Sequence, residues 1–283
     1  MHNFQRAIFL TIMVLSPIAN SDPAIVEVQG KAIEYERSGA GTCTVLFESG
    51  LAENLHTWDG LFEAVARRCV AIRYSRVGQG ESELLQGELS ASEYAELARG
   101  LLLELEIVNP VVLVGHSYGS DIARYFAALY PSTVAGLLLI DPSISADVRL
   151  LGEIDPVRAA AEVEEIKASD FEWAKEQPRE DGILSELTDS WKKVEPPGYE
   201  HIGDIAVRTI VSTQGYHEQI YLFHKPEFSE KRVQFLTEWT ARFPRSRLVT
   251  TSSSGHFVHY DEPKLVLDEL DAMLSELATL PEN

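Results

Sequence analysis

The stretch that decides the fold is Val111-Val112-Leu113-Val114-Gly115-His116-Ser117-Tyr118-Gly119-Ser120. Its first four residues form a continuous apolar run, the pattern of a strand buried on both faces. Residues 121–130 that follow have helical spacing. Between strand and helix stands G-x-S-x-G. A strand turning sharply into a helix at this point lifts the Ser117 hydroxyl out of the sheet at the helix N-terminus. There the free backbone N–H groups and the helix dipole favour an oxyanion. Bulky residues two positions either side of the serine would collide in so tight a turn, which accounts for Gly115 and Gly119. A bare G-x-S-x-G arises often by chance, and its setting between strand and helix is what makes this one specific.

Outward from this turn the chain alternates strand and helix. Residues 24–28 and 31–37 alternate around Gly30 and read as an antiparallel pair. Residues 44–48, 69–74, 134–140, 205–212 and 248–251 read as further strands. Residues 58–66, 93–105, 235–243 and 265–280 read as helices. This rhythm predicts an α/β protein, a mostly parallel eight-stranded sheet with helices on both faces. From Pro142 to about Gly203 the rhythm stops. That segment is rich in Ala, Glu, Asp and Lys at helical spacing. It predicts a helical cap inserted at the C-terminal edge of the sheet, over the crevice where such sheets bind ligands. A solvated acidic excursion is the plainer alternative.

Residues 1–21, MHNFQRAIFLTIMVLSPIANS, combine Arg6, an apolar run over 7–15, Pro17 and a small-residue exit before Asp22. They read as a secretory signal peptide, with an uncleaved anchor as the alternative. The run is shorter than the ~20 residues that span a bilayer. The domain proper then covers 22–283, and export ends in the periplasm or outside the cell. With 24 Lys+Arg against 44 Asp+Glu the chain carries a formal charge of −20. That excess disfavours nucleic acid, whose binding needs basic patches, and anionic membranes. Two cysteines, Cys43 and Cys69, are too few for a disulfide-built miniature fold and lack zinc-ribbon spacing.

A serine hydroxyl needs a base, and eight histidines are available. His2 leaves with the signal, His116 belongs to the serine turn, His56 heads an early helix, and His201, His217 and His224 lie in or near loops in polar sequence. His256, in Ser254-Gly255-His256-Phe257-Val258-His259-Tyr260-Asp261, follows the last strand at the edge where catalytic groups converge. His259 in the same loop is its competitor. A metal site from His256, His259 and Asp261 would lack a nearby third histidine in sequence and is set aside. The acid that orients the base follows the serine and precedes the histidine. Asp141 ends the strand at 134–140, and Glu218, in STQGYHEQ, is the alternative. Asp141 could also serve only to satisfy backbone at its turn. An oxyanion hole would draw on the N–H of Tyr118 and, from the loop 48–54 around Gly50, that of Leu51.

These stretches resemble the α/β-hydrolase superfamily: VLFESGL…HTW at 45–58, YSRVGQGES at 74–82, VLVGHSYGS at 112–120, LLLIDPS at 137–143 and SGHFVHYDEP at 254–263. The resemblance runs from about residue 31 to 280. It implies a serine hydrolase of small carboxylic esters, with Ser117 as nucleophile, His256 as base and Tyr118 with Leu51 as oxyanion donors. No metal or organic cofactor is implied, and the partner is a small-molecule ester. Amide, peptide or C–C bond hydrolysis on the same triad is the alternative within this fold. A ligand-binding homologue without turnover is the alternative outside enzymology. The departures matter. Ser75 stands where the superfamily often has Asp, at a position read as structural. No Asp follows the strand at 205–212, where many members carry the acid, so the role moves to Asp141. The serine excludes dehalogenases and epoxide hydrolases, which use Asp there, and Ser49-Gly50 replaces the common His-Gly. Cys43 and Cys69 stand at the starts of strands that this fold makes neighbours. In an exported chain they are expected to form a structural disulfide. Oligomeric state and acyl chain length have no signature in the sequence.

Overall fold

The first two strands, β1 (Ala24–Val28) and β2 (Lys31–Ser38), pair antiparallel. Gln29 and Gly30 turn between them with φ of 51° and 77°, the left-handed pair that a two-residue hairpin requires. This computed structural model describes residues 22–192, 194 and 202–279. The segment 1–21 expected as a signal peptide lies outside the described residues, as does His201.

Six further strands follow: β3 (Thr44–Glu48), β4 (Val70–Tyr74), β5 (Val111–His116), β6 (Val134–Ile140), β7 (Ala206–Ser212) and β8 (Arg245–Thr251). They make one eight-stranded sheet in the order β1-β2-β4-β3-β5-β6-β7-β8. β2 pairs antiparallel with β4, and every pair from β4 to β8 is parallel. β3 and β5 are buried at every position, which is why they are uninterrupted apolar runs. Their side chains alternate between two cores. Leu46 and Leu113 join the apolar residues of α2 (Ala91–Glu104) and α3 (Tyr118–Leu129). Val45, Phe47, Val112 and Val114 join those of α1 (Asp59–Ala66) and of the last described helix, Pro263–Leu277.

Between β6 and β7 lie α4 (Asp147–Ile154), α5 (Pro156–Ala174) and α6 (Glu180–Ser190), with no strand among the described residues. Two apolar clusters seat these helices. Ile144, Leu150 and Leu151 pack with Val211, Phe228 and Leu236, and Ile183 and Leu187 pack with Leu51 and Ala52. A buried charge fastens them further. Arg76, after β4, donates to Glu186 of α6 and to Glu48 of β3, both at 2.8 Å. The same guanidinium holds the carbonyls of Ser49 and Gly50, while Glu186 accepts from the Ala52 amide at 2.7 Å. Cys43 and Cys69 form a disulfide at the N-terminal ends of β3 and β4, the edge away from Ser117.

Several elements begin earlier than periodicity predicts. The helix after the serine starts at Tyr118 rather than 121, because Gly119 and Ser120 carry no apolar signal. The helix expected over 235–243 is α7 (Pro226–Thr240), opened by Pro226, a residue suited to the first helical position. β8 starts at Arg245 rather than Leu248. It is one of the sheet's two edge strands, and charged residues are the usual protection of such an edge. Among the described residues no helix is long and apolar enough to cross a membrane.

Candidate active site

Ser117 sits between β5 and α3 with φ 49° and ψ −118°, a conformation that costs a non-glycine residue free energy. The glycines around it are sterically required. A Cβ on Gly115 would lie 2.7 Å from the Gly119 carbonyl oxygen, and one on Gly119 would lie 2.2 Å from that of Glu48. The close approach of Gly119 brings the loop after β3 against the start of α3.

Asp141 follows β6 with φ 38° and anchors its own amide on the Ile210 carbonyl at 2.7 Å. Its carboxylate is divided between partners. Oδ2 lies 2.6 Å from His256 Nδ1. Oδ1 accepts from the Ser212 amide at 3.0 Å and from Arg232 Nη1 at 2.9 Å. Burial alone would raise this carboxyl. The Arg232 guanidinium, followed by the His256 hydrogen bond, outweighs burial and holds the carboxyl well below the usual range. Arg232, on α7, is fixed in turn by the Pro142 carbonyl and Asp147. The other end of the imidazole, His256 Nε2, is 2.9 Å from Ser117 Oγ.

The competing residues lie elsewhere. Glu218 is exposed in the loop after β7. His259 is buried, with its ring against Trp58, His116 and Tyr260. Burial and the neighbouring His116 lower its pKa to about 3. Asp261 accepts from Ser254 Oγ at 2.9 Å, and among the described residues the group whose ligand atoms converge is Glu53, His116 and His259, not His256, His259 and Asp261. Ser75 bridges Glu34 and the Leu55 amide. Ser49 receives the Trp58 indole N–H at 2.9 Å.

Two residues that sequence reasoning missed complete the surroundings. Arg232 lies in the half of α7 that carries no apolar periodicity. Glu53 lies in the loop after β3. Its Oε2 accepts from the Gly50 amide at 2.6 Å and stands 3.2 Å from His116 Nδ1. Burial would raise the Glu53 carboxyl, but His116 and Gly50 outweigh it and bring it down to about 2. His116 Nε2 is 3.0 Å from the His256 carbonyl, and only an N–H donor satisfies that oxygen. The loop bearing Leu51 and the loop bearing His256 are thus joined through Glu53 and His116.

Space opens on both sides of His256. Ser117, Tyr118 and Leu51 wall a cavity of about 240 Å³ that Trp173, Leu187 and Trp191 close from the inserted helices. A cavity of about 930 Å³ is lined by Asp141, His256, Tyr216, Phe223, Phe228 and Phe257.

A serine on a strand-to-helix turn, facing an imidazole and a carboxylate at the C-terminal edge of a parallel sheet, defines a class of hydrolase folds. The chain belongs to the alpha/beta hydrolase family, whose model matches residues 45–269. It is 30% identical over 142 residues to the lipase LipV of Mycobacterium tuberculosis, covering 46% of this chain and 53% of that protein. It is 29% identical over 136 residues to the monoglyceride lipase of Rattus norvegicus, covering 44% of each. The chain thus spans about half the length of the curated relatives it matches. A thermophilic esterase from Thermogutta terrifontis superposes with a TM-score of 0.67 at 18% identity, covering 92% of this chain and 100% of that one. Est816, described as an N-acyl homoserine lactone degrading enzyme, superposes with a TM-score of 0.57 at 19% identity, covering 88% of this chain and 99% of that one. At such identities the likeness is one of fold.

Proposed function

We propose that the chain is a serine esterase that hydrolyses small carboxylic esters through Ser117, His256 and Asp141. One observation carries this reading: the 2.9 Å contact of Ser117 Oγ with His256 Nε2 continues into the 2.6 Å contact of His256 Nδ1 with Asp141 Oδ2. Asp141 stays ionised, so it fixes the proton of the neutral imidazole on Nδ1 and leaves the Nε2 lone pair facing the serine. Ser117 Oγ attacks the ester carbonyl as His256 takes its proton. The oxyanion is met by the N–H groups of Tyr118, at the start of α3, and Leu51. Collapse of the intermediate passes the proton from His256 to the departing alcohol. Water, deprotonated by the same imidazole, attacks the acyl-Ser117 ester, and His256 returns the proton to Ser117 Oγ as that bond breaks and the acid leaves.

The two cavities divide the substrate. The smaller, which holds Ser117 and the oxyanion donors, takes the acyl portion. The larger is lined by His256, which must protonate the leaving oxygen, and takes the alcohol portion. The names of two of the matched relatives, both lipases, support ester chemistry. The disulfide supports an oxidising destination, the periplasm or the exterior.

The test is a panel of esters, lactones and amides assayed with wild type, Ser117→Ala, Asp141→Asn and Glu218→Gln, together with fluorophosphonate labelling. Ester hydrolysis and labelling should vanish in Ser117→Ala, collapse in Asp141→Asn and survive in Glu218→Gln. Retention of most ester turnover in Ser117→Ala would overturn the reading. A preference for amides over esters would overturn the substrate class.

A further inference from the structure

We propose that Glu53, His116 and His259 bind one divalent transition-metal ion of the zinc class. Each offers a ligand atom, and the three atoms lie within 4.8 Å of one another. Two imidazoles and a carboxylate form a donor set that zinc accepts, with water as a fourth ligand.

Three features of the cluster point to a cation. The first is a matter of lone pairs. His116 Nε2 must donate to the His256 carbonyl, 3.0 Å away, because that oxygen can only accept. This fixes the tautomer of a neutral His116 and turns the Nδ1 lone pair toward Glu53 Oε2 at 3.2 Å. Two lone pairs facing each other at that distance are reconciled by a positive centre between them, a shared proton or a metal ion. An imidazole whose other N–H is held by a backbone carbonyl is the usual arrangement of a metal-ligating histidine. The second is spacing. Two ligands of a tetrahedral zinc with bonds of about 2.0–2.2 Å stand about 3.3 Å apart, close to the 3.2 Å between His116 Nδ1 and Glu53 Oε2. The three ligand atoms together lie within 4.8 Å, so the His259 ring has to turn inward.

The third feature is His259. Its side chain is 1% exposed, and among the described residues neither ring nitrogen has a hydrogen-bond partner. An imidazole buried without partners loses its hydration with nothing in return. A metal ion reached by rotation of this ring would supply the missing partner. Glu53 keeps 14% of its side chain exposed, which gives the ion a way in and its fourth ligand a way to water. The cluster adjoins the serine turn, with the His116 and His256 ring centroids 4.7 Å apart. Its ligand atoms are not those of the Ser117–His256–Asp141 contacts, and its occupancy can be read without turnover, so failure here leaves the esterase reading intact.

The test uses the untagged full domain, stripped with chelator and titrated with zinc chloride in a calorimeter. One zinc per chain is expected, with a rise in melting temperature and two imidazole nitrogens in the X-ray absorption spectrum. His259→Gln and Glu53→Gln should each weaken binding by at least about 100-fold, the upper end of what losing an outer-shell partner costs. Anomalous diffraction from zinc-soaked wild-type crystals gives the same answer without requiring any variant to fold. Absence of zinc binding would overturn the proposal and leave a shared proton between Glu53 and His116. Binding that persists in both variants, or an anomalous peak elsewhere, would overturn it as well.

Discussion

Arg232 Nη1 donates to Asp141 at 2.9 Å on Oδ1, the oxygen that His256 does not use. The guanidinium therefore neutralises the carboxylate without competing for the imidazole. Arg232→Met should lower kcat/KM by about 10- to 100-fold, since a hydrogen bond to a charged group is worth about 1.5–3 kcal/mol. The carboxyl pKa would climb once its cation is gone. The acid limb of the pH profile should then move to higher pH, and Arg232→Lys should return it part of the way. An unmoved acid limb would reduce Arg232 to a packing residue.

The same ion pair makes stability depend on pH. The folded state holds the Asp141 carboxyl below its unfolded value of about 3.9. Its contribution is complete above that value and is lost as the pH falls further. Urea midpoints of wild type and Asp141→Asn should differ most near neutrality and converge below about pH 4. A gap that stays constant across this range would contradict the assignment.

Ser117 holds a positive φ of 49° without being glycine. Ser117→Gly should abolish ester hydrolysis yet raise stability by about 1 kcal/mol, the lower end of what such strain costs. Chemical denaturation of the two proteins side by side measures this directly. A less stable glycine variant would mean that the serine side chain contributes more to the fold than its backbone strain removes.

The Cys43–Cys69 bridge closes a loop of sequence separation 26. Chain-entropy arguments put the stabilisation from a loop of that length at about 3–4 kcal/mol. A reducing agent, or the double variant with alanine at both positions, should lower the melting temperature while leaving the pH profile of the proposed ester hydrolysis unchanged. The bridge sits at the opposite edge of the sheet from Ser117, so a changed profile would contradict its purely structural role.

The sequence is legible where local pattern and tertiary environment agree. β3, β5 and β6 are short apolar runs because both of their faces are covered, and their ends mark the edge where Ser117 and Asp141 stand. The serine turn is legible because steric crowding leaves only glycine at 115 and 119. Illegible elements are those whose reasons are distant. Residues 245–247 begin β8 at the sheet edge and look like a charged loop. The first half of α7 lacks an apolar stripe, so Arg232 carried no signal. The contact of His116 with Glu53 spans 63 positions and exists only because β5 lies beside β3. Asp141 and Glu218 were distinguishable only by where the chain carries them, one to the imidazole and the other to an exposed loop.

Glu186 inserts a fully buried carboxylate from α6 against Arg76, which in turn grips the carbonyls of Ser49 and Gly50. Raising α6 as a lid would pull this carboxylate away from a buried guanidinium and unsettle the loop that carries Leu51. Losing one partner of such a pair costs about 3–5 kcal/mol, enough to make the lifted state rare. The way in that leaves α6 seated is the wider cavity, where Tyr216 and Phe257 are both half exposed. On the proposed esterase reading, incoming ester and outgoing alcohol both use this mouth. The released alcohol then waits in the space that the next substrate must enter, so rigidity on one side of Ser117 becomes queuing on the other.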